Sequence, residues 1–92
     1  MKEQVRMQPN DFGEVLKSVT DTASEIMAAG PKDLNDLLAA MQDDLEDAIG
    51  RMEAGDYWRA DRSARRSAAH TLLIAAAIYR MASNVPAAGK RH

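Results

Sequence analysis

The sequence predicts an all-α fold: a three-helix antiparallel bundle with a long third helix, assembling as a homo-oligomer into a larger helical bundle. Three observations carry this. Apolar residues recur at alternating spacings of 3 and 4 in three separate segments, which is the period of one helix face. The segments are parted by Gly30-Pro31 and Gly55-Asp56, both of which read as a helix end followed by a helix start. No stretch alternates in the manner of a strand or hairpin, and no supersecondary unit repeats. With only Phe12, Tyr57, Trp58 and Tyr79 aromatic among 92 residues, the core has to be aliphatic.

Residues 1–9 hold no sustained period and are expected to form a flexible arm, followed by a single helical domain over 10–83. The first helix is expected over about 11–29, opened by a capping-box pattern of Asp11 and Glu14. Phe12, Leu16, Val19, Ala23 and Ile26 line its inner face, widened by Val15 and Met27. The second helix, about 31–54, has the clearest stripe: Leu34, Leu38, Met41, Leu45, Ala48 and Met52, flanked by Leu37 and Ile49. Its outer face carries Asp33, Asp36, Asp43, Asp44, Glu46, Asp47 and Glu53 against Lys32 and Arg51. Gly50 projects opposite the stripe, where no packing need explains it.

The third helix, about 56–83, is capped by Asp56. Its inner side reads as Tyr57, Ala60, Ala64, Ala68, Thr71, Leu72, Ala75, Ile78, Tyr79 and Ala82. Arg59, Arg62, Arg66 and Arg80 project from the opposite side, with Arg65 at the flank. From residue 69 onward that outer side turns apolar as well, through Ala69, Leu73, Ile74, Ala77 and Met81. A helix apolar nearly all round needs cover on both sides, and the three lengths, about 27, 36 and 42 Å, leave part of the longest uncovered. Those five residues are therefore the expected interface of a symmetric dimer, the alternative being that the first helix sits on them within one chain. Residues 84–92 read as a flexible tail.

Several kinds of chemistry lack their residues. The chain has no cysteine, so it has no disulfide and no thiolate, and a reducing, cytoplasmic setting fits. The net charge of −2 opposes bulk attraction to nucleic acid or anionic lipid. The longest uncharged run near the C-terminus, Thr71 to Tyr79, is far short of the ~20 residues that span a bilayer, and the first ten residues lack the apolar region of a signal peptide. His70 and His92 have no ligand partner at helical spacing, and Ser18, Ser24, Ser63, Ser67 and Ser83 have no neighbouring base. No catalytic residue, metal site or cofactor is assigned.

Two stretches resemble known families. Asp43-Asp44 and Asp47 are similar to the EExxE element of all-α nucleotide pyrophosphohydrolases of the MazG type, with Asp in place of Glu, and Glu53 to Asp56 matches their later ExxD by letter. That resemblance implies Mg²⁺-dependent pyrophosphohydrolysis. Here the second element follows early and falls on a turn, which holds the two sets of acids apart. Gly55 to Ala60 resembles the inter-helix turn of a tetratricopeptide repeat, in a single copy.

The expected function is therefore a small non-catalytic protein–protein interaction module, an adaptor, inhibitor or assembly factor working as a homodimer. Trp58, Arg59, Arg62, Arg65 and Arg66 form its partner-facing patch, since Arg and Trp concentrate binding energy at interfaces. A helix-turn-helix-like nucleic-acid binder using the same arginines is the alternative, opposed by the acids of the preceding helix. A divergent pyrophosphohydrolase is the third reading.

Overall fold

The computed structural model describes residues 6–85 and contains three helices: α1 (Pro9–Ala28), α2 (Leu34–Glu53) and α3 (Tyr57–Asn84). At 1.5 Å per residue they extend about 30, 30 and 42 Å. Residues 1–5 of the expected arm and 86–92 of the expected tail, with His92, lie outside the described residues; of the remainder, Pro9 opens α1 and Asn84 ends α3.

The helix starts differ from the sequence expectation in two places. α1 opens at Pro9, not near residue 11, because Gln8 acts as the N-cap and its backbone N–H donates to the Asp11 carboxylate at 3.2 Å. Proline suits this first position, where its missing N–H is no loss. α2 begins at Leu34 with Asp33 as N-cap, so Pro31-Lys32 belong to the connection rather than to the helix. Gly30 there has φ +131°, open to a residue without a Cβ, and this turns the chain out of α1.

The turn between α2 and α3 is tighter. Gly55 has φ +81°, and its N–H donates to the Met52 carbonyl at 3.0 Å. The Asp56 N–H donates to the Arg51 carbonyl at 2.8 Å, completing the paired bonds of a Schellman motif. Asp56 then caps α3 by accepting the Arg59 N–H.

α3 is the central element. It packs against both α1 and α2, whereas α1 and α2 do not approach each other closely along their backbones. α2 runs antiparallel to α3, as the pairing of Asp47 with Ser63 and of Met41 with Ser67 requires. The core joins Val19 and Ala23 of α1, Leu37 of α2, and Ala69, Leu73 and Ile74 of α3. Ile26, Leu34, Leu38 and Met41 pack around it.

This reverses the expected faces of the C-terminal half of α3. Ala69, Leu73 and Ile74, read from sequence as an interface between copies, are buried within one chain, and Ala77 is half-buried. Met81 alone of the five is exposed. The expected inner residues Ala64, Ala68, Leu72, Ala75, Ile78, Tyr79 and Ala82 are all exposed instead. The polar side chains that tie α3 to α2, namely Ser63, Ser67 and His70, lie on the Leu73–Ile74 side and fix that face inward. Apolar area alone does not separate Leu73 and Ile74 from Leu72 and Ile78.

Candidate functional site

Helical spacing sets the site. Arg59, Arg62 and Arg66 follow i, i+3, i+7 on α3 and share a face. The Schellman turn folds the end of α2 back beside them, which places Arg51 opposite. Arg51, Arg59, Arg62, Ser63 and Arg66 together line a cleft of about 270 Å³.

Carboxylates from both helices hold the walls. Asp47 accepts from Arg51 Nε at 2.7 Å and from the Ser63 hydroxyl across the helix pair. The Ser63 bond and then the Arg51 bond hold the Asp47 carboxyl below its ordinary range, with partial desolvation opposing them. The same Asp47 bond raises the Arg51 guanidinium above its usual value. Asp56 lies 3.5 Å from Arg51 and 3.7 Å from Arg59. Asp44 lies 3.9 Å from Arg66 and 3.3 Å from the ring of His70. Arg62 has no carboxylate partner among the described residues.

Of the sequence-predicted patch, the structure brings Arg59, Arg62 and Arg66 together and separates the other two. Arg65 turns to the α1 side, pairing with Asp61 at 2.9 Å and bordering a groove along Lys17, Asp21 and Glu25. Trp58 is 78% exposed and does not line the cleft. Arg51 and Ser63 were not singled out in sequence for this site. The i, i+4 pair Asp47–Arg51, one turn before Gly55, is the signal that could have found Arg51.

A second missed feature is the polar seam between α2 and α3. Buried Ser67 donates to the Met41 carbonyl at 2.9 Å. His70 is also buried; its Nδ1 lies 3.0 Å from the Arg66 carbonyl as well as near Asp44. Ser63, Ser67 and His70 repeat at spacings of 4 and 3, the period of an inner face written in polar residues. No three His, Asp or Glu side chains among the described residues form a group fit for a metal ion.

The outward face of α3 is an uncovered apolar surface. From Ala64 to Ala82 it carries Ala68, Leu72, Ala75, Ile78 and Tyr79 with no charged residue, and Tyr79 is 74% exposed. No helix among the described residues is long and apolar enough to cross a membrane. Comparison with protein families, with curated proteins and with solved structures finds no match.

Proposed function

We propose that this chain is a small, non-catalytic protein–protein interaction module that works as a homodimer in the cytoplasm, as an adaptor, inhibitor or assembly factor. The observation that carries the reading is the uncharged outward face of α3, where Leu72, Ile78 and Tyr79 stand exposed among alanines. Contiguous apolar surface of this kind marks interaction sites in folded proteins. The alanines let a second helix approach closely, and the larger side chains supply buried area. Trp58, 78% exposed and outside the arginine cleft, is left free by such pairing to meet a separate protein partner.

Three of the five acids that resemble the pyrophosphohydrolase elements have other occupations. Asp44 sits by His70 and Arg66, Asp47 holds Ser63 and Arg51, and Asp56 caps α3. Each is engaged by a cation or donor rather than turned toward its fellows, which supports the non-catalytic reading.

Light scattering tests the proposal. The wild-type chain is expected at twice the chain mass, and the double variant Leu72→Glu with Ile78→Glu at the single mass with unchanged helicity. A wild-type chain at the single mass overturns the dimer.

A further inference from the structure

We propose that the cleft between the end of α2 and the start of α3 binds a small phosphorylated anion of the diphosphate type, gripped by Arg51, Arg59, Arg62 and Arg66. The inference stands apart from self-association, which rests on the outward face of α3.

Charge is the first argument. Four guanidiniums converge on one cleft, and the carboxylates in contact with them are Asp44, Asp47 and Asp56. One positive charge is left over, and its natural seat is Arg62, the cleft arginine with no carboxylate partner among the described residues. An anion entering the cleft is drawn to that unpaired charge.

Donor supply is the second. A guanidinium offers five N–H donors in a planar fork suited to phosphate oxygens. Arg59 and Arg66 meet their carboxylates only at 3.7 and 3.9 Å, distances of charge attraction beyond the ordinary hydrogen-bond range. Most of their donors are therefore open. Arg51 is different: Asp47 and Asp56 fix it from two sides, so it is already oriented before a ligand arrives. Ser63 directs its proton to Asp47, which leaves the guanidiniums as the donors that face an anion.

Size and surroundings choose the ligand class. A cleft of about 270 Å³ lies just below the range of drug-sized pockets, which suits a compact group with several oxygens. One end of the cleft is built on α2, whose acidic side chains would meet an extended polyanion such as duplex DNA at close range. A diphosphate fits between the arginines without running along that helix.

Calorimetric titration of the full chain with sodium pyrophosphate, against sulfate and chloride at matched ionic strength, is the test. The expected result is saturable binding of about one pyrophosphate per chain at a single site. Arg62→Gln is expected to weaken binding about tenfold with helicity unchanged, since Arg62 has no structural partner, while Arg80→Gln leaves it unaltered. The proposal is overturned by absence of saturable heat, by equal response to chloride, or by full binding in Arg62→Gln. Tight binding of a DNA duplex that pyrophosphate does not displace would also overturn it, in favour of a nucleic-acid surface.

Discussion

Asp56 holds Arg51 twice: its backbone N–H donates to the Arg51 carbonyl at 2.8 Å, and its carboxylate lies 3.5 Å from the Arg51 guanidinium. One residue thus closes the last turn of α2, caps the first turn of α3 and orients a wall of the arginine cleft. Fold and site share this joint, so changes there should be felt in both.

Replacing Asp56 by Ala removes the cap and the carboxylate contact with Arg51 together, leaving the backbone bond in place. Loss of a good N-cap costs about 1 kcal/mol. For a chain of this size the melting temperature should fall by roughly 4–8 °C. Asp56→Asn keeps a capping oxygen and should recover most of that loss in a thermal melt followed by circular dichroism. Equal melting of the Ala variant and wild type would refute the role of the cap.

Asp47 makes stability depend on acid. Its carboxyl titrates below the ordinary value because the Ser63 hydroxyl and then the Arg51 guanidinium bind its charged form. In the window between that lowered value and the unfolded value near ~3.9, the unfolded chain binds more protons than the folded one. The contribution is therefore fully present above the unfolded value and is lost as pH falls through the folded one. Acid titration of the fold should show a shallower decline below about pH 4 in Asp47→Asn than in wild type. Identical slopes would remove the linkage.

The reversal of the α3 faces predicts an unequal response at adjacent residues. Leu73→Ala empties part of the core and should cost about 2–5 kcal/mol, and Ala69→Leu, at a site with no exposure, about 1–3 kcal/mol through overpacking. Leu72→Ala, at a site 43% exposed, should cost less than either in the monomer. Chemical denaturation of the three variants, each at a dilution where light scattering gives the single chain mass, gives the order. The reverse order would restore the inner face read from sequence.

That reversal shows where the sequence was legible. Helix number and the two breaks could be read, because glycine, proline and capping residues act locally at Gly30-Pro31 and Gly55-Asp56. The periods of α1 and α2 also pointed inward correctly at Val19, Ala23, Leu37 and Ala48, though Phe12 and Leu16 of α1 and Leu45, Ile49 and Met52 of α2 are exposed. α3 offered two apolar faces, and periodicity has no means of ranking them. The choice depended on Ser63, Ser67 and His70 meeting α2, a tertiary fact carried by polar residues that a hydrophobic pattern discounts. The cleft followed the same rule. Arg59, Arg62 and Arg66 were visible as one helix face, while Arg51 joins them only through the turn, and Arg65 leaves them because it lies about 100° around the helix from Arg66.

Gly50 and Gly13 give the last prediction. Both lie inside helices with ordinary helical backbone, and a Cβ added at either meets nothing within 4 Å. Neither a turn nor a close approach requires glycine there, in contrast to Gly30 and Gly55 with their positive φ. Glycine in a helix interior costs about 0.8–1.0 kcal/mol relative to alanine, chiefly through backbone freedom in the unfolded chain. Gly50→Ala and Gly13→Ala should each stabilise the fold by about that amount, raising the melting temperature by roughly 4–8 °C apiece. Gly55→Ala, by the same substitution at φ +81°, should lower it, since the left-handed region disfavours a Cβ. Opposite signs in the two kinds of site, measured on one melting curve each, check the helix boundaries and the Schellman turn together. A loss of stability in Gly50→Ala would mean that this face of α2 is covered by something beyond the single chain.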